Sequence, residues 1–496
     1  MNNILFENGR LMPDDLLHDL YVSDGMFRAI LPAGSRPPDA THPEQTIDLA
    51  GARVYPGFRD AHCHLLSTAE TELALDASGI RSIDQLIAAG KDAISERGLY
   101  AKRLNDTLLS EQTMPSRLDL DRISDTLPVI AVRVCGHLAS VNSVVLDSIP
   151  ALKQRYPDGI IAENDLDMLP SLRSMYGSDD MKQAISHVIR RMLSHGLTAI
   201  SSNDFGRLAT ADDELAVQAV LAEYPGFTYR SQYSVPLPFD PNTLLQLAAK
   251  SGAKPAVKLF RDGSLGGRTA WLRAPYSDAP DTVGQDTLDD ETHEAVLTIA
   301  NRLSLQVMTH AIGDQAISRT LDLLKKTSNA ENPLRHAIVH AQITDDALLA
   351  RMKEQHVLAI VQPLFAESDS SMAPARLGDR YADAYRFKTM ADADIRLAFS
   401  SDAPVESFNP LHTIRRAMQG RQDEPASRFS FAEALHFHTG GAAYADFAEE
   451  QSGAIKAGFA ADFSVFGDNL ASILPDELPD RLPLMTVAGG NVYSFT

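Results

Sequence analysis

Eight short apolar runs, each followed by a stretch of helical spacing, constrain this chain more than any other feature. They cover residues 55–62, 197–202, 227–234, 256–260, 305–310, 336–341, 357–362 and 396–401. Strands that are apolar on both faces and alternate with helices form parallel sheets, and eight of them close into a barrel. The fold class expected is α/β, a (β/α)8 TIM-like barrel. Residues 66–185 separate the first run from the second and read as helices with one extra strand at 128–134. A segment of that size is a large insertion after the first barrel strand. Leaving from the carboxyl end of that strand, it is expected on the catalytic face, where it would act as a lid.

The two ends of the chain have another texture. Residues 2–10 and 20–30 read as strands marked by the turn pairs Asn8-Gly9 and Asp24-Gly25. Residues 453–455 lead into the apolar 461–466, and 486–495 alternate across Gly489-Gly490. The expected organisation is a composite β-sandwich domain from 1–55 and 453–496, built around a hydrolase barrel at 56–452 that carries the 66–185 insertion.

Charge and composition exclude some functions. A net charge of −21 argues against nucleic acid, whose phosphates need clustered Lys and Arg. No apolar run approaches the roughly 20 residues that span a bilayer. Met1 to Arg10 lacks the basic-then-apolar layout of a signal peptide, and Cys63 and Cys135 build no disulfide framework. A cytoplasmic protein with no membrane partner is expected, and a homo-oligomer is compatible with all of this.

The chemistry begins at Pro56-Gly57-Phe58-Arg59-Asp60-Ala61-His62-Cys63-His64. Alternate strand residues share a face, so His62 and His64 can address one ion while Cys63 points away. Imidazole nitrogen suits zinc and related divalent metals. Other run ends carry Lys258 in Lys258-Leu259-Phe260, His310 in Thr309-His310-Ala311, His340 in Val339-His340-Ala341, and Asp402 in Ser401-Asp402-Ala403-Pro404. In a barrel those ends converge on one face. Each has a plainer reading: a satisfied core histidine, a buried salt bridge for Lys258, a helix cap for Asp402. Their recurrence on five strands favours a site.

The order His-x-His, Lys, His, His, Asp resembles the amidohydrolase superfamily. Flanking blocks are similar to its YtcJ-like, or amidohydrolase-3, branch, which includes N-substituted formamide deformylases. They are Gly136-His137-Leu138-Ala139-Ser140-Val141-Asn142-Ser143, Val257 through Gly266, and His310-Ala311-Ile312-Gly313-Asp314, with Gln362-Pro363 and Ser401-Asp402-Ala403-Pro404. The resemblance runs from about residue 45 to 465. It implies a TIM-like barrel, a terminal β-sandwich and one or two divalent ions, zinc being expected. It implies His62 and His64 on the more buried ion with Asp402 nearby, His310 and His340 on the second, and Lys258 between them as a CO2-derived carbamate. Asp402 would take a proton from water and pass it to a leaving nitrogen.

The reaction expected is hydrolysis of a C–N bond in a small amide-like molecule, N-acyl or N-formyl. The alternatives are a deaminase or cyclic-amide hydrolase on the same site, and a non-catalytic metal-binding protein. Candidate substrate contacts are His137, Glu163, Arg268, Gln362 and Phe365. The plainer readings are a structural role for His137, a solvated loop carboxylate for Glu163, an ion pair for Arg268 and core packing for Phe365.

Overall fold

The computed structural model describes residues 3–12, 15–36, 43–133, 138–170, 172–206, 211–250, 255–329, 331–421 and 425–495. Its central sheet has eight parallel strands in chain order. They are β1 (Phe58–Cys63), β2 (Leu197–Phe205), β3 (Thr228–Ser234) and β4 (Ala256–Phe260). β5 (Val307–Ala311), β6 (Ala337–His340), β7 (Leu358–Val361) and β8 (Leu397–Phe399) follow. Helices such as Asp290–Leu303, Asp314–Thr327 and Asp346–Glu354 connect the later strands. The ladder is nearly a closed ring. Beyond β8, the Asp402 amide donates to the His62 carbonyl (2.9 Å) and the His64 amide to the Ala403 carbonyl (2.8 Å). The (β/α)8 barrel expected from the alternation is present.

The first apolar run divides in two. Tyr55 and Pro56 belong to a different strand, Arg53–Pro56, and β1 starts only at Phe58. Gly57 is the joint. A Cβ there would lie 2.4 Å from Thr198 Oγ1, so a side chain is excluded where β1 passes β2.

Strands from both ends of the chain share one eight-stranded sheet. Its order is Asn491–Tyr493, Met485–Ala488, Phe463–Phe466, Arg53–Pro56, Ile4–Leu11, Leu16–Ser23, Met26–Pro32, with Gln45–Asp48 beside Ile4–Leu11. The sheet curls on itself: the Phe27 amide donates to Phe459 (2.9 Å) and the Ala461 amide to Gly25 (2.8 Å). Phe6, Phe27 and Phe463 fill the enclosed core, Phe6 and Phe463 edge-on at 5.0 Å.

Leu66–Val188, with Leu215–Val220, forms a second compact unit. Where the sequence reading expects one strand, the unit has a five-stranded sheet. Its order is Ile160–Ala162, Leu138–Val141, Val129–Arg133, Leu99–Leu104, Leu75–Asp76. The missed strands are short or carry charge, as in Lys102 and Arg103, which hides the alternation. Along the central strand Val129 and Ala131 enter one core and Ile130 the other, so both faces are covered. Among the described residues no helix is long and apolar enough to cross a membrane.

Candidate metal centre

Register brings the candidate ligands to one level. Phe260 pairs with His310, and Ala311 pairs with His340. Lys258 lies two residues before Phe260, on the same face of β4. The His310 and His340 rings are 4.4 Å apart, His62 and His64 5.1 Å, and His62 and His340 6.0 Å. Lys258 Nζ, buried, is 3.0 Å from His62 Nε2. Asp402 Oδ1 is 3.2 Å from His62 Nε2 and 3.1 Å from His64 Nε2. All six predicted ligands therefore converge, and His62, His64 and Asp402 place three ligand atoms within 4.8 Å of one another.

Each histidine has one ring nitrogen committed to a fixed acceptor, so the other carries the lone pair of the neutral ring. His62 Nδ1 faces Gln232 Oε1 at 2.6 Å; the Gln232 amide group donates to Ala61 (2.9 Å), so the oxygen must accept and His62 Nδ1 must carry the proton. His64 Nδ1 donates to the Asn203 carbonyl at 2.8 Å. His340 Nδ1 donates to Gln362 Oε1 at 2.8 Å, while the Gln362 amide group donates to Ser400 Oγ at 2.8 Å. His310 is reversed, its Nε2 donating to the Gly263 carbonyl at 3.0 Å. The lone pairs left over are Nε2 of His62, His64 and His340 and Nδ1 of His310. Metal-binding histidines are fixed in this way, by a hydrogen bond from the nitrogen that does not ligate.

The electrostatics favour a cation among these groups. Burial holds the His62 pKa down to about 3 and His310 to about 4, with the Lys258 charge adding to both, so both are neutral ligands at pH 7. Burial pushes His64 down as well, but the Asp402 carboxylate more than offsets it, so positive charge is preferred between them. Burial also pushes Asp402 upward, and His62 and His64 outweigh it, holding the carboxyl well below its usual range. Backbone strain concentrates here too. His340, Ala341 and Asp402 have φ of 77°, 46° and 58°, left-handed conformations that cost about 1–3 kcal/mol each and persist where the surroundings impose them.

The amidohydrolase family's sequence profile matches residues 45–493. The chain belongs to the amidohydrolase family. YtcJ of Bacillus subtilis (strain 168), an amidohydrolase by name, is 29% identical over 96% of both chains. The N-substituted formamide deformylase of Arthrobacter pascens is 24% identical over 92% of this chain and 90% of its own. The crystal structure of a metal-dependent hydrolase from Pyrococcus furiosus superposes with a TM-score of 0.80 at 27% identity, covering 95% of this chain and 100% of that one. This amidohydrolase is thus a hydrolase of a metal-dependent superfamily, and its donor set fits divalent ions.

The remaining sequence candidates fall in different places in the amidohydrolase. Gln362, read as pocket wall, is buried and orients His340. Phe365 stacks on the His340 ring, centroids 5.8 Å apart and planes at 8°. Arg268, a candidate substrate contact, makes the ion pair of its plainer reading: it pairs with Asp278 through two contacts of 3.1 and 2.9 Å, and Arg376 shares that carboxylate. Glu163 opens the 3-10 turn Glu163–Met168. Its side chain and the whole of His137 lie outside the described residues. Sequence reasoning missed Gln232 and Asp60. Asp60 accepts from the amides of His62 and Ser401, both at 3.1 Å, and so ties β1 to the segment after β8. Asp60 stood inside the quoted Asp60-Ala61-His62-Cys63-His64 block and could have been noticed; an isolated buried glutamine gives no signal.

Proposed function

We propose that this chain hydrolyses a C–N bond of a small N-acyl or N-formyl amide at a centre of one or two divalent ions, zinc being the expected metal. One observation carries this reading: four histidines each have one nitrogen locked by a fixed acceptor, so four lone pairs gather around Lys258 and Asp402. His62, His64 and Asp402 would hold one ion, and His310 and His340 a second. A divalent ion supplies Lewis acidity and lowers the pKa of water from 15.7 to about 7.

Lys258 would join the two groups as a carbamate. Its amine is buried, and burial lowers its pKa to about 7 although Asp402 opposes the shift. The neutral amine is the form that adds to CO2; the N–C bond forms, one proton leaves, and an anion with two oxygen donors results. Asp402 is ionised and touches both His62 and His64, so its Oδ1 can take the proton of the attacking water and deliver it to the leaving nitrogen. The attack is direct, without a covalent acyl-enzyme. The formamide deformylase among the relatives, whose name gives N-substituted formamides as its substrates, supports this class.

The test is a panel of N-formyl, N-acyl and cyclic amides with the metal content measured in parallel. Turnover of N-formyl or N-acyl amides, with one to two ions per chain and a fall of about 10²–10⁴-fold in kcat for Asp402→Asn, is expected. Turnover confined to cyclic amides or ring amines would move the assignment to the rival chemistry. Protein free of transition metal whose activity survives exhaustive chelation would refute the reading.

A further inference from the structure

A cavity of about 490 Å³ lies beside the carboxyl ends of β3 and β4. Val235, Leu237, Leu259, Phe260 and Leu288 supply its apolar wall. Phe260 belongs to the metal centre as well: its ring is 5.5 Å from the His310 ring and 5.2 Å from Lys258 Nζ. Gly263, another wall residue, gives its carbonyl to His310. The cavity and the ligand cluster therefore share a boundary.

Its one ionisable wall residue, Asp262, has no charge to offer a ligand. The carboxylate accepts from the amides of Trp271 (2.9 Å), Ile312 (3.1 Å) and Gly313 (2.8 Å) and is buried. At the lip, Leu237 is 57% exposed, a large apolar side chain left in water. Of the cations nearest in sequence, Lys258 belongs to the ligand cluster and Arg261 is buried and paired with Asp286 and Asp290, while Arg268 is occupied by Asp278. A space of this size is typical of small-ligand pockets, and such a wall rewards apolar area.

We infer that this cavity receives an uncharged apolar arm, a short alkyl chain or one aromatic ring, on an amide whose reacting carbon stands over the histidines. The inference rests on the proposed hydrolase chemistry and adds the substrate class. Specificity would then follow the size of the arm, at about fourfold in kcat/KM per added methylene until the cavity is full.

Two measurements on the purified full-length protein decide it. The first is kcat/KM for N-methyl, N-ethyl, N-butyl and N-benzyl formamide, for wild type and Leu237→Asp. The second is calorimetric binding of N-benzyl and N-methyl methanesulfonamide, which are not hydrolysed. N-benzyl should exceed N-methyl at least tenfold in both, and Leu237→Asp should cut the ratio at least fivefold. A flat series, or a gradient that Leu237→Asp leaves intact, would overturn the inference. A sulfonamide gradient with no turnover of the formamides or of the matching N-acetyl amides would uphold the pocket and overturn the proposed amide hydrolysis instead.

Discussion

Toward the amino ends of the barrel strands, Asp446 is buried against Arg59 at 3.2 Å, Arg230 at 3.1 Å and the Ser201 hydroxyl at 2.8 Å. At the carboxyl ends Asp402 is buried too, but its neighbours are the ring nitrogens of His62 and His64, and an amine stands 3.0 Å from one of them. The first carboxylate meets guanidinium groups whose charge is permanent. The second meets two imidazoles whose other ring nitrogens are pinned elsewhere, so positive charge is shared with the rings rather than fixed on a permanent cation. Burial alone therefore does not mark a site. What marks it is a set of donor atoms brought together because neighbouring groups hold the opposite ring nitrogens.

That contrast can be broken experimentally, and the largest effect is expected at Lys258. Lys258→Ala should lose one ion where two bind and reduce kcat/KM by about 10³-fold or more, because several kcal/mol of charge stabilisation goes with it. The circular dichroism spectrum should not change. Added short-chain carboxylic acids should restore part of the activity, and Lys258→Arg should restore none, since a guanidinium cannot become a carbamate. A crystal grown with metal and bicarbonate that shows a plain ammonium on a carboxylate would rule the carbamate out.

Asp446→Ala probes the opposite end. It strands two buried guanidinium groups, and breaking a buried pair costs about 3–5 kcal/mol. Urea unfolding should record that loss while metal content per folded molecule stays constant. A loss of metal without a loss of stability would erase the distinction between the two ends.

Gln232→Leu and Gln362→Leu sharpen the comparison, because each removes the acceptor that fixes one histidine. Metal affinity should fall about 10–100-fold for each, as measured by competition with a chelating dye. Unchanged affinity would mean that the rings are held by packing alone.

A further test is the pH dependence. His62 and His310 have folded-state values of about 3 and 4, below the 6.5 of an unfolded histidine. The unfolded chain therefore binds protons first, and the stability held by the neutral rings is complete above 6.5 and declines as the pH falls toward 4. The expected slope is about 1.4 kcal/mol per pH unit for each ring. Urea titrations in chelator at pH 7.5 and 5 measure it; equal midpoints would contradict neutral burial.

The sequence exposed the barrel and the candidate ligands for one reason: parallel strands buried on both faces are continuous apolar runs, and polar residues at their ends stand out. Lys258 and His310 were visible in that way. The second unit was less legible because strands of two to six residues with charges inside them carry little periodicity, as Leu99–Leu104 shows. Gln232 and the double duty of Gln362 were hidden because an amide has no distinctive spacing; its role depends on which ring its oxygen meets. Arg268 was legible only in part for a related reason. An ion pair was the plainer reading there, but Asp278, ten residues on, was not recognisable as its partner.

The strand Arg53–Pro56, which leads through Gly57 into the first pair of ligands, is completed late in the life of the chain. It pairs with Phe463–Phe466, and the Leu470 amide closes on the Tyr55 hydroxyl across 415 residues. At a translation rate of about 5–20 residues per second, His62 and His64 wait about 20–80 s on the ribosome before that partner exists. Until then the strand that leads into His62 and His64 lacks one of its two neighbours in the sheet. The path through Gly57 into His62 and His64 therefore reaches its final pairing only after residue 466 is made.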